Sequence, residues 1–140
     1  MVNPRARRRA RERALQFLFG LDFTQYSWDA VIEDFWECFP ARPSVKHYAQ
    51  RLIRGVSENQ ADLDERILRS LDNWTPDRVG RIEKAVLRIA LYEMLHVEDV
   101  PPSVAINEAI EVAKMYGADE TPRFVNGVLD RLRKQLEHAG

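Results

Sequence analysis

The sequence has one cysteine and no long apolar run, and both absences limit what the chain can be. Cys38 has no second cysteine to pair with, which excludes an internal disulfide and fits a reducing cytosol. We expect this thiol to be a small core residue, since nothing around it marks a nucleophile. No apolar stretch approaches the roughly 20 residues that cross a bilayer. The N-terminus lacks the apolar segment of a secretory signal, so we predict a cytoplasmic protein.

Signatures of catalysis are also missing. The six glycines form neither a dinucleotide-binding motif nor a phosphate-binding loop, and the three histidines are scattered along the chain. No spacing of histidine and cysteine suggests a metal site. Glu108 and Glu111 share one polar helix face, and such a pair usually belongs to a solvated surface. We therefore predict a binding protein and not an enzyme, with no cofactor and no metal.

Strand signals are absent as well, and the pattern that remains is helical. Apolar residues make up 45% of the chain and charged residues 31%, as in a globular protein. The chain lacks hairpin turns between alternating runs, so we predict an all-α fold. It is expected to form a single domain of two small packed bundles, about 4–72 and 76–138, with the seam near 72–76. The predicted helices are 4–22, 28–39, 44–58, 60–72, 76–97, 102–116 and 122–137.

Several residues punctuate these helices. Asn3-Pro4, Thr75-Pro76 and Thr121-Pro122 each place a capping side chain before a proline, which is favourable at a helix start. Gly117 is expected to end a helix in the left-handed conformation. The stretch 85–95 is apolar nearly all round, which predicts a central helix packed on several sides.

The most unusual stretch is the first thirteen residues, which contain six arginines and one acid. Their formal charge is +5, so the rest of a chain with net charge −1 carries −6. On a helix these arginines point in almost every direction, and we expect no face of the first turns to be buried. A cationic cluster this dense favours a polyanion, so the pattern predicts contact with phosphates, although a solvated basic helix start is an open alternative. We call these residues the arginine arm: Arg5, Arg7, Arg8, Arg9, Arg11 and Arg13.

The last predicted helix carries a second candidate feature. Phe124 lies at the edge of its apolar stripe, with Arg123, Gly127 and Arg131 nearby. An aromatic ring among arginines, beside a residue without a side chain, is typical of a platform on which an unpaired base stacks. The alternative is that Phe124 closes the edge of the core.

Four blocks in this chain resemble the NusB family of bacterial transcription antitermination factors. They are ARRRARE (6–12), EKAVLRIALYE (83–93), VAINEAIEVAK (104–114) and FVNGVLD (124–130), in the family's order. The resemblance implies an all-helical fold and binding to the single-stranded boxA element of ribosomal-operon RNA. It also implies a heterodimer with NusE, a small-subunit ribosomal protein, within an RNA polymerase antitermination complex.

The resemblance also assigns individual positions. The implied RNA-binding residues are Arg7, Arg8, Arg9, Arg11, Glu120, Arg123 and Phe124. We add Arg5 on the basis of charge alone. The implied partner-binding residues are Phe19 and Glu83. Thr121-Pro122 departs from the small or basic residues usual in relatives, which leaves the phosphate contact at that turn open.

Other readings compete with this one. The nearest is an RNA-targeting module like those fused to ribosomal-RNA methyltransferases; because the sequence ends at Gly140 without such an enzyme, we expect a free-standing factor. A helix-turn-helix DNA binder is disfavoured because the arginines lie at a chain terminus. A membrane-surface helix is disfavoured because arginine surrounds it on all sides. A free homodimer that hides the arm stays possible.

Overall fold

The computed structural model describes residues 3–71 and 79–139, which form seven helices and no strand. This confirms the all-α prediction. Within these ranges, no helix combines the length and the apolar composition needed to cross a membrane. The helices are α1 (Pro4–Leu21), α2 (Trp28–Cys38), α3 (Pro43–Glu58), α4 (Gln60–Arg69), α5 (Arg81–His96), α6 (Pro102–Tyr116) and α7 (Thr121–Ala139).

The predicted helix boundaries agree with the structure most closely where the sequence has clear helix-starting or helix-ending residues. Helix α6 has the predicted bounds, and α1 ends one residue before its predicted end. Helix α4 ends at Arg69, three residues early. Helix α5 begins at Arg81 after the extended N-cap residue Gly80, so the prediction of helix over residues 79 and 80 is wrong. The predicted start at Thr75-Pro76 and the seam at 72–76 lie outside the described residues, so the division into two sub-bundles stays a prediction.

Helix α5 occupies the centre of the protein, as its composition predicted. It packs against α1, α3, α4, α6 and α7. Removing a leucine or valine side chain from water contributes about 1.5–3 kcal/mol, so a helix surrounded in this way anchors the whole fold. Its buried residues are Ala85, Val86, Leu87, Ile89, Ala90, Leu91 and Glu93.

Helix α1 brings its small residues to the core. Ala10 and Ala14 are fully buried, and such small side chains allow a close approach of α3 and α5. Further along, Phe17 meets Phe35 of α2 edge to face, with ring centroids 5.2 Å apart.

Cys38 is exposed, so the expectation of a core thiol is wrong. It is the last residue of α2, whose buried residues Ile32 and Trp36 lie on another face.

The helix ends follow the predicted chemistry in one case and depart from it in another. The Asn3 Oδ1 atom accepts hydrogen bonds from the backbone N–H groups of Arg5 and Ala6 at 2.9 and 3.3 Å, which confirms the cap of α1. Gly117 is not left-handed: its φ and ψ are −98° and −179°. The reason for glycine is space, because a Cβ there would lie 2.6 Å from the Cβ of Thr121. Thr121 is itself the first residue of α7, and its hydroxyl accepts a hydrogen bond from the Ala118 N–H at 3.0 Å.

Gly55 of α3 provides a stability test of the packing on α5. A Cβ at this position would lie 2.1 Å from Cζ of Tyr92, so Gly55→Ala must displace that ring. We expect a loss of about 1–3 kcal/mol in the free energy of unfolding, measured by urea denaturation. Gly127→Ala is the matched control, because a Cβ there meets nothing within 4 Å. It should raise stability by roughly 0.5–1 kcal/mol. Equal effects of the two variants would contradict this packing.

Candidate nucleic-acid interface

The arginine arm forms the first turns of α1, and one side of it is buried. Ala10, Arg11 and Glu12 are 0%, 4% and 7% exposed. The expectation that no face of these turns is buried is therefore wrong. Helix α1 lies against α3, α5 and α6, and these elements supply groups that neutralise a buried guanidinium.

Arg11 is the centre of a buried network. Its Nε donates to both carboxylate oxygens of Glu93 at 3.0 Å, and its Nη1 donates to Glu108 at 3.0 Å. The hydroxyl of Tyr48 donates to the same Glu93 carboxylate at 2.5 Å. Burial raises the pKa of Tyr48, and the adjacent Glu93 carboxylate raises it further, so the hydroxyl keeps its proton. The network therefore fixes the orientation of α1 on α3 and α5.

Arg7 and Arg8 are also paired with carboxylates. Arg7 donates to Asp99 at 3.0 Å, and its guanidinium lies 4.3 Å from the centroid of the Tyr48 ring. The hydrogen bond from Arg7 lowers the pKa of Asp99. Arg8 donates to Glu108 at 2.6 Å. Glu108 is thus held between two arginines with its side chain 13% exposed, and the prediction that it is a solvated surface acid is wrong.

Arg5 and Arg9 lie on the opposite side of the arm and are exposed. Both line a groove of about 480 Å³ between α1 and the loop that joins α2 to α3. We call it the α1–α3 groove. Arg13 and Arg42 line the same groove. The structure therefore divides the arginine arm into a side paired with carboxylates and a side that faces open space.

A second groove, of about 310 Å³, lies beside the start of α7 and brings together three predicted site residues: Glu120, Arg123 and Phe124. Gly127 and Arg131 line it too, which confirms that they are close to the phenylalanine. Phe124 is half-buried and packs against the core, so it closes the edge of the core and also borders the groove.

Tyr116 connects the arm with the region of α7. It is the last residue of α6, four positions before Glu120. Its hydroxyl donates to Glu12 at 3.2 Å and accepts from the Gln16 side chain at 2.9 Å, and both of these residues belong to α1. The middle of α1 is therefore attached to the corner from which α7 begins.

Of the two predicted partner-binding residues, Phe19 belongs to a local cluster of aromatic and charged side chains. Phe19, at the end of α1, meets the exposed ring of Phe23 edge to face with centroids 5.2 Å apart. The Arg81 guanidinium lies 4.2 Å from the Phe23 ring centroid and pairs with Asp22 at 3.3 Å. Glu83 follows two residues later in the first turn of α5. The cluster presents the exposed Phe23 ring beside the Arg81–Asp22 ion pair at the surface.

The residues that sequence reasoning missed are those that act across long separations. Glu93 and Glu108 lie 82 and 97 positions from Arg11, and no local pattern indicates such pairing. Glu93 did carry one signal, because it is an acid inside an otherwise apolar helix. Arg42 is a single arginine in a predicted loop, and nothing in the sequence around it indicated a binding role. Across the described ranges, no group of three or more His, Cys, Asp or Glu side chains is placed to hold a metal ion.

Comparisons with known proteins find a matching family and related sequences. The model of the NusB family matches residues 8–134. The Transcription antitermination protein NusB of Bacillus subtilis (strain 168) is 41% identical over 133 residues, covering 95% of this chain and 98% of that protein. The protein of the same name from Desulfosudis oleivorans is 44% identical over 136 residues, covering 94% and 87%.

Solved structures share the fold. A structure of T. maritima NusB is 38% identical with a TM-score of 0.84, covering 96% of this chain and 94% of that one. A structure of the antitermination factors NusB and NusE with double-stranded RNA has a TM-score of 0.84 at 23% identity, covering 95% and 99%, and at that identity it shows the fold alone.

Arg11 and Arg9 form a matched pair for testing the buried network. Arg11→Met leaves Glu93 buried without its cation, so we expect a loss of about 3–5 kcal/mol in the free energy of unfolding. Arg9→Met removes an exposed arginine from the same helix and should change stability by no more than about 0.5 kcal/mol. Adding Glu93→Leu to Arg11→Met should recover part of the loss, because no charge is then stranded. Urea denaturation measures all three, and similar values for Arg11→Met and Arg9→Met would contradict the network.

Proposed function

The chain belongs to the NusB family, and we propose on this basis that it is a transcription antitermination factor that acts by binding RNA. The family also confirms the expectation that the chain is a binding factor and not an enzyme. In this proposal it binds the single-stranded boxA element of ribosomal-operon RNA in the cytoplasm. It does so together with NusE, and the pair joins an RNA polymerase complex.

The observation that carries the proposal is the rigid presentation of the arginine arm. Arg11 is held by Glu93 in the core, which fixes the backbone positions from which the neighbouring arginines of α1 extend to the surface. Guanidinium groups suit phosphates, because each planar group can donate two parallel hydrogen bonds to an anion. In this interpretation Arg11 positions the helix, and the exposed members of the arm meet the RNA.

Selectivity requires a second contribution, because phosphates are alike in every sequence. The α7 groove offers the ring of Phe124 for stacking, the Glu120 carboxylate as an acceptor for base edges, and Arg123 as a cation. A stacked base is worth about 1–3 kcal/mol. The link from α1 through Tyr116 to this corner supports one RNA-binding surface that includes both regions.

The direct test is a binding titration of boxA-containing single-stranded RNA against duplex DNA at several salt concentrations. With about four phosphate contacts, the logarithm of the RNA affinity should fall against the logarithm of salt with a slope near −2.8. Duplex DNA should bind more weakly because the body of the protein is acidic. Preference for the duplex would reject the proposal.

The runner-up function is that of an RNA-targeting module related to ribosomal-RNA methyltransferase domains. The chain covers 98% of the B. subtilis relative, and that relative is named as an antitermination protein. This coverage favours the antitermination role.

Phe124→Leu tests the proposed stacking contact. Leucine keeps apolar contact with the core but lacks an aromatic face, so affinity for boxA RNA should fall by about 1–3 kcal/mol. The affinity for a scrambled RNA should fall by less. The slope of log affinity against log salt should stay the same, because no charge is removed. Filter binding with both RNAs measures this, and thermal unfolding checks that the variant is folded. Equal losses on both RNAs would count against Phe124 as a base contact.

Phe19→Ala and Glu83→Gln test the proposed partner surface. If NusE and RNA bind together, NusE raises RNA affinity and RNA raises NusE affinity by the same factor. Both variants should reduce the gain in RNA affinity on adding NusE while leaving RNA binding without NusE unchanged. Glu65→Gln, an exposed acid on α4, is the control with the same charge change. If NusE raises the RNA affinity of a variant as much as that of the unsubstituted protein, the substituted residue is not part of the NusE interface.

A further inference from the structure

The two sides of the arginine arm differ in how their charge is balanced. Arg7, Arg8 and Arg11 pair with Asp99, Glu108 and Glu93. On the other side, Arg5, Arg9 and Arg13 are spaced four residues apart, so they lie within about 80° of one another around the helix. These three face the loop before α3 and line the α1–α3 groove.

The α1–α3 groove is strongly basic. Its charged lining residues are Arg5, Arg9, Arg13 and Arg42, and no aspartate or glutamate lines it within the described ranges. The nearest acid contact is weak, with Arg9 Nη1 3.9 Å from Glu12. Arg13 Nε is buried and has no hydrogen-bond acceptor among the described residues. Four guanidinium groups around one open groove repel one another until an anion lies between them.

We propose that the α1–α3 groove holds the sugar-phosphate backbone of the single-stranded RNA, so that Arg13 and Arg42 are RNA contacts alongside Arg5 and Arg9. This inference rests on the proposed function and deepens it. Arg42 closes the groove from the side opposite α1, as the N-cap residue of α3. Helix α3 begins there without a capping side-chain hydrogen bond, and its N-terminal partial charge adds to the attraction for phosphate.

The rim of the groove favours a single strand over a duplex or an acidic peptide. Phe39 directly precedes the groove-lining residue Pro40 and is 45% exposed, and the Arg13 guanidinium lies 5.7 Å from its ring centroid. An exposed ring beside a cation gives an unpaired base a face to stack on. Bases in a duplex are already stacked on one another, and a peptide carboxylate has no flat ring to offer.

The experiment compares Arg42→Gln with Arg54→Gln in the full chain. Arg54 is exposed on the same helix, roughly 18 Å further along, and its substitution changes the charge equally. Arg42→Gln should weaken fluorescein-labelled boxA RNA about fourfold at 0.15 M salt and make the salt slope shallower by about 0.7. A scrambled RNA should show the same loss. Arg42→Lys should keep the slope, and Arg54→Gln should match the unsubstituted protein.

Each outcome decides between the proposals. If the unsubstituted protein binds RNA with a steep salt slope but Arg42→Gln behaves like Arg54→Gln, the groove proposal is overturned and the proposed function stands. If Arg42→Gln retains RNA affinity but loses NusE affinity, the groove is a protein-docking site and the proposal is again wrong. If the unsubstituted protein does not bind RNA, the proposed function fails with it.

Discussion

The buried ion pair between Arg11 and Glu93 is the interaction on which the placement of the arginine arm depends. It joins α1 to the central helix α5 across 82 positions of sequence. Two charges removed from water are costly unless their remaining hydrogen-bonding groups are satisfied. Here Tyr48 and Glu108 form those remaining hydrogen bonds with Glu93 and Arg11. The network therefore restricts the orientation of α1 relative to α5.

The arm therefore combines a side paired with carboxylates and a side that lines an open groove within a few turns of one helix. On the first side, Asp99 and Glu108 occupy the guanidinium groups of Arg7 and Arg8 as a phosphate would. Any anion that reaches these two arginines has to replace a carboxylate already in place. On the other side, the α1–α3 groove is lined by arginines and, in the described part of the chain, by no carboxylate. In the proposed function, weak or isolated anions would gain little from the first side, and the arm would favour polyanions.

Much of the fold follows from periodicity, and the site follows from it only in part. The stretch 85–95 is apolar nearly all round and is largely buried, as predicted. On α7 the apolar residues at helical spacing are buried at Val125, Val128, Leu129 and Leu132, whereas the fifth member of that stripe, Leu136, is half-buried. The proximity of Phe124 to Gly127 and Arg131 follows from the same spacing. Helical spacing contains no information about which helices meet. Glu108 looked like a solvated acid because its two arginine partners lie at the other end of the chain. Arg42 was missed for the same reason, since only the fold places it opposite α1.

The cap at Asn3 has a consequence for the rate of association. Arginine-rich segments that are disordered when free must become helical as they bind, and this ordering lowers their net affinity. Here the side chain of Asn3 holds the first N–H groups of α1, so its first turn is already wound. The conformational entropy of the segment is lost when the chain folds, before any encounter. If the arm binds RNA as proposed, collision frequency and long-range attraction would limit the speed of capture, with no slow coil-to-helix step in between.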